Sequence, residues 1–141
     1  MSAGALAPRL ILLHKQKTSA MVRFLCLPGG LLAFEPLPPE ASLRDEDWSS
    51  AVDIHPAAHA RAAAVRLGLP ESAVEAEGEF RAWVATAEGD VPVLMGFFAL
   101  DDPPFEAAGH AGGRFINMMD ARRLSTLDQQ LIRRAYEHVL G

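Results

Sequence analysis

The stretch Val93-Leu94-Met95-Gly96-Phe97-Phe98 is apolar at odd and even positions alike, so as an extended strand it offers no face to water. Such a strand needs one layer above it and another below, and this requirement constrains the fold more than any other stretch. Residues 80–86 read as its hairpin partner, with Ala87-Glu88-Gly89-Asp90 supplying the turn. Two segments have the pattern of covering helices. Residues 55–69 are dominated by alanine, have Pro56 at a first helical position and are closed by Gly68 and Pro70, which predicts a helix over 56–69. Residues 125–140 place Leu127, Leu131, Ile132, Ala135, Val139 and Leu140 on one stripe, with Thr126 and Gln129 at capping-box spacing.

Strands are also predicted over 9–14 and 21–27, and a last short one over 114–119, after a Pro-, Gly- and Ala-rich connection at 101–113. The expected fold is of the α+β class: one domain over 1–141, an α/β/α sandwich with a mixed sheet between the 56–69 and 125–140 helices. With 141 residues, half of them hydrophobic and 22% charged, the chain suits a single buried core and not a solvated coil.

Charge and composition exclude several functions. A formal net charge of −5 repels phosphate backbones, which argues against bulk nucleic-acid binding. No apolar run reaches the roughly 18 to 20 residues that cross a bilayer. The single cysteine, Cys26, makes no internal disulfide. Residues 1–13 lack a basic stretch ahead of an apolar segment, so a cytoplasmic protein is expected.

Residues 21–27 run into Pro28-Gly29-Gly30, where proline fixes one dihedral and the glycines open others. Residues 31–54 then carry Pro36, Pro38, Pro39 and the acidic Asp45-Glu46-Asp47 with little periodicity, which reads as a long inserted loop. This order of elements resembles the Nudix hydrolase superfamily, whose signature is G-x5-E-x7-R-E-U-x-E-E-x-G-U with U a bulky aliphatic residue. Residues 61–69 read R-A-A-A-V-R-L-G-L, so Arg61, Gly68 and Leu69 match the signature's Arg, Gly and final aliphatic. Leu27-Pro28-Gly29-Gly30 resembles the strand end that opens it. Gly30 and Arg61 lie 31 positions apart, 17 more than in the uninterrupted signature, and the 31–54 insertion accounts for the excess.

The signature's three glutamates are replaced here by Ala62, Val65 and Arg66. Glutamates at i, i+3 and i+4 share a helix face and converge on hard divalent cations that activate water and neutralise pyrophosphate oxygens. An alanine, a valine and an arginine present no such ligands, so metal binding at that face is expected to fail and no cofactor is expected. The resemblance then implies a non-catalytic binding or assembly module, its ligand a nucleotide or another small phosphorylated metabolite in a cleft near Gly29, Gly30, Arg61 and Arg66. Arg66 is suited to grip phosphate directly through its planar guanidinium, the simpler reading being an arginine exposed on its helix. The alternative is a Mg²⁺- or Mn²⁺-dependent hydrolase of nucleoside diphosphate derivatives with relocated carboxylates, for which Glu35, Asp53 and Glu75 are the candidates. A third reading is structural: a homo-oligomer, in the simplest case a homodimer, that exists for its surface.

Other residues have simpler expectations. Glu75, Glu77 and Glu79 alternate as on the solvated face of an edge strand. His55 and His59, four apart, have zinc-compatible spacing with Asp53 or Asp47 as further ligands, but no motif fixes a third ligand and surface histidines are the simpler reading. His110 reads as a solvated loop residue in preference to a general base. Trp83 and Cys26 are expected to be buried, while Trp48 is open between burial and ligand stacking. Met118 and Met119 are expected to fill gaps, Gly112-Gly113 to form a turn, and the pairs Arg122-Arg123 and Arg133-Arg134 to lie on solvated helix faces.

Overall fold

Two sets of side chains, one from each side of the same strands, account for the core. The structure is a computed structural model and describes residues 6–141. Its strands are β1 (Arg9–Lys15), β2 (Val22–Cys26), β3 (Leu32–Ala33), β4 (Ser42–Leu43), β5 (Val74–Ala76), β6 (Ala82–Thr86), β7 (Gly89–Phe98) and β8 (Arg114–Ile116). Its α-helices are α1 (Pro56–Arg66), α2 (Phe105–His110) and α3 (Thr126–Leu140). The strand order is β4-β6-β7-β1-β2-β8, with β3 paired to β1 and β5 to β7. β1 and β7 run parallel, Ile11 opposite Met95, and the other pairings are antiparallel, so the sheet is mixed.

Because successive side chains of a strand point to opposite faces, each strand feeds both layers. Ile11, Leu13, Phe24, Val93 and Met95 pack with Leu131, Ile132 and Ala135 of α3. Leu10, Leu12, Leu25, Leu94 and Phe98 pack with Ala60, Ala63 and Ala64 of α1. The expected mixed sheet between the two helices is therefore present, and the doubly apolar segment of β7 is buried on both faces. α1 meets the sheet through alanines at i, i+3 and i+4, and it closes with the paired bonds Leu69 N to Ala64 O and Gly68 N to Val65 O, both 2.9 Å.

Three local expectations are corrected. Residues 31–54 are not simply a loop: β3 and β4 join the sheet within them, and strands of two residues have no period to read. Arg44 anchors the segment, bonding Asp90 Oδ1 through Nη2 at 3.0 Å and lying over the Trp48 ring at 4.7 Å. Trp48 meets the buried Trp83 edge-on at 5.6 Å. Residues 101–113 contain α2, whose six residues include a glycine and are too few to show helical periodicity. Residue 125, not 126, caps α3: Ser125 Oγ accepts the Asp128 amide at 3.1 Å, while the Gln129 side chain turns back to Leu124 O at 2.8 Å.

The expected charged faces are only partly solvated. β5 stops at Ala76, and Glu77 turns inward to His138 of α3, Oε2 to Nε2 at 2.7 Å. Arg134 is half-buried and donates to Arg44 O at 3.2 Å, tying α3 to the segment after β4. Met119 does not fill a gap: its side chain is exposed, on a 3₁₀ segment (Met118–Arg123) capped by Asn117. No described helix is long and apolar enough to cross a membrane.

Candidate functional site

The Pro-Gly-Gly segment is a two-residue turn, with Leu27 and Gly30 exchanging both backbone hydrogen bonds at 2.9 Å. Gly30 has φ +127°, and a Cβ there would fall 2.6 Å from Asp128 Oδ2, so both backbone and space require glycine. The same carboxylate accepts the Leu31 amide at 3.1 Å and so ties the turn to the first turn of α3. Burial holds the Asp128 carboxyl above its ordinary pKa, while the hydrogen bonds from Leu31 and Ser125 pull the other way. Beneath it the Cys26 thiol is pushed up to about 11, mainly by burial and further by the Asp128 charge, with Arg114 opposing. A thiol in that state is no nucleophile at neutral pH.

This turn forms one wall of a large cavity, about 950 Å³, on the α3 side of the sheet. Leu32, Leu37, Leu127, Arg114 and Arg123 are among its other lining residues. A smaller cleft of about 220 Å³ lies on the α1 side, lined by Arg9, Phe34, Glu35, His59, Ala62 and Arg66 among others. Between them, a third hollow of about 390 Å³ shares Arg9 with the cleft and Pro36, Leu37 and Pro38 with the large cavity.

In the α1 cleft the two arginines are held in different ways. The Arg66 guanidinium carbon stands 4.4 Å from the centroid of the Phe34 ring. Arg9 donates from Nε to Glu35 O at 2.7 Å and from Nη1 to Ala7 O at 2.8 Å, which fixes its guanidinium and leaves Nη2 without a partner among the described residues. Two restrained guanidinium groups beside a half-buried imidazole can bind an oxyanion at little further cost in side-chain order.

The residues singled out in the sequence are thus divided. Arg66 and Glu35 line the α1 cleft; Gly29 and Gly30 line the large cavity on the other face. Arg61 is exposed on α1 and lines neither. Asp53 is exposed with its carboxylate 3.8 Å from His55 Nε2, and Glu75 is exposed on β5 opposite Phe97. Among the described residues no three His, Cys, Asp or Glu side chains come together as a metal-holding group, and His55 and His59 gain no third ligand. His110 ends α2 in solvent.

Sequence reasoning missed Arg9, Phe34 and Asp128. Arg9 and Phe34 are brought to Arg66 by the pairing of β1 with β3, which leaves no mark at the level of spacing. Asp128 was legible: Ser125 and Asp128 have the spacing of an N-cap and its third helical residue. No family model and no curated protein matches this sequence.

Proposed function

We propose that the chain is a Nudix-like domain in which the helix face that carries metal ligands in that superfamily has become a cationic one, and that it binds a small phosphorylated metabolite, a nucleotide or a relative of one, without hydrolysing it. The observation that carries this reading is the Arg66 guanidinium stacked on Phe34 in the cleft that also contains the backbone-fixed Arg9. The side chains present do not fit a hard dication: Ala62 and Val65 are exposed and have no donor atom, and Arg66 brings a positive charge to the position of the third ligand. A guanidinium needs no metal to neutralise a phosphate. A cleft of about 220 Å³ is smaller than the range for whole ligands, roughly 300–1,000 Å³, so it receives the phosphoryl end of the molecule.

A hydrolase with relocated carboxylates is the second reading, and Glu35 in the cleft is the observation in its favour. Asp53 and Glu75 line neither cavity, so neither stands beside Glu35 in the cleft. Thermal-shift titrations over nucleotides and inorganic pyrophosphate, run beside pyrophosphohydrolase assays with Mg²⁺ and Mn²⁺, separate the two. The binding module shows melting shifts that vanish in Arg66→Ala, with no turnover. Turnover abolished by EDTA and by Glu35→Gln would replace this reading with the hydrolase.

A further inference from the structure

The large cavity on the α3 side is independent of the phosphate reading, and its lining has a distinct chemistry. Its apolar wall is made mostly of leucines and prolines, among them Leu27, Leu32 and Leu37, its polar part includes Ser42, Thr126 and Gln130, and no aromatic ring on which a base could stack lines it among the described residues. Its volume of about 950 Å³ lies at the upper end of the range for whole small-molecule ligands. The walls are held in place by close backbone approaches: a Cβ on Gly113 would fall 2.5 Å from Cys26 O, and one on Gly29 3.1 Å from the Pro36 ring.

Its charged groups are unequal. The Asp128 carboxylate is already engaged by the Leu31 amide and packed against Gly30. Arg114 and Arg123 are exposed and make no hydrogen bond or ion pair among the described residues. Two exposed guanidinium groups in one cavity with a leucine- and proline-rich wall suit a molecule with an apolar body and one anionic end. We infer that the cavity between the Pro28-Gly29 turn and α3 is a binding site for an aliphatic carboxylate, its chain against the leucines and its carboxylate on Arg114 and Arg123.

Amide NMR on the ¹⁵N-labelled protein tests this, with octanoate, octanol and adenosine as probes. Octanoate is expected to shift the amides of Gly29, Gly30, Gly113 and Thr126 saturably. Octanol should bind about tenfold more weakly, and the double variant Arg114→Ala/Arg123→Ala should weaken octanoate about tenfold while leaving octanol unchanged. Both arginines are exposed and unpaired among the described residues, so the variant keeps its fold, which its unshifted core amides would verify. Arg66→Ala should not alter octanoate binding, so a failure here is distinct from a failure of the phosphate site. The inference is overturned by octanoate shifts that do not saturate or lie elsewhere, by octanol binding as tightly as octanoate, or by adenosine occupying the same amides more tightly.

Discussion

Asp128 Oδ2 accepts the Leu31 amide across 97 residues of chain, and this bond fixes the Pro28-Gly29 turn to the start of α3. The link sets the position of one wall of the large cavity. Arg9 performs a comparable task on the other side, where its bond to Glu35 O holds the segment after β3 along the α1 cleft. Residues 34–38 thus run between two concave surfaces of different chemistry, the smaller holding Arg9 and Arg66, the larger lined by leucines and prolines together with polar side chains.

Gly30→Ala should destabilise the protein by about 2–4 kcal/mol, since it forces a left-handed backbone on a residue with a Cβ and drives that atom into Asp128. Urea unfolding measures the loss. Combining it with Asp128→Ala should cost less than the sum of the two single changes, because the second removes the atom the first collides with. Strict additivity would show that the two residues do not share this space.

The raised pKa of Asp128 has a definite sign in stability. Below its ordinary value of 3.8 the carboxyl is protonated in both folded and unfolded chains and contributes nothing to the pH dependence. As pH rises from there through the higher folded value, the unfolded chain ionises first, so this group makes stability fall. Asp128→Asn keeps an acceptor for the Leu31 amide and abolishes the ionisation. Urea unfolding from about pH 4 to about pH 7 should therefore show the variant gaining stability relative to the native chain as pH rises. A constant difference would mean that burial does not disfavour the charge.

The layers were legible in the sequence because they rest on periodicity over many residues. The doubly apolar run of β7, the alanines of α1 and the stripe of α3 each announce the face they bury, and the core forms where those faces meet. β3, β4 and α2 were not legible, being too short to have a period; their place is set by hydrogen bonding to elements far away in sequence. The same limit applied to the sites. Arg66 was identifiable from a local resemblance over residues 61–69, whereas its partners Phe34 and Arg9 reach it only through the β1 and β3 pairing. Gly29 and Gly30 were grouped with Arg66 on adjacency in the signature, yet the sheet separates them, since Leu32 and Ala33 of β3 face opposite layers.

Arg44→Ala should release the inserted segment from the hairpin. The change removes the ion pair with Asp90 and the contact over Trp48, both at a partly exposed side chain, for an expected loss of about 1 kcal/mol. Tryptophan emission should move to longer wavelength as Trp48 leaves Trp83, while Asp90→Ala, which spares the ring contact, should move it less. Unchanged emission in Arg44→Ala would show that Trp48 is held by other contacts.

If the α1 face lacks metal affinity only for want of carboxylates, installing them should create it. Ala62, Val65 and Arg66 are all exposed, so Ala62→Glu/Val65→Glu/Arg66→Glu buries no charge and should cost little beyond the Arg66 contact with Phe34, about 0.5–1 kcal/mol. Glutamates at these spacings share one helix face, and positions 62 and 66 line the cleft that also holds Glu35. Electron paramagnetic resonance of added Mn²⁺ should show binding by the triple variant and free ion with the native chain. The variant should also lack the melting shift with pyrophosphate expected of the native chain without metal and show it when Mn²⁺ is present, because the cation then neutralises the phosphate in place of the guanidinium. Mn²⁺ bound by the native chain and released by Glu35→Gln would instead show that the cleft holds a dication as it stands, and would remove the basis for treating Arg66 as its replacement.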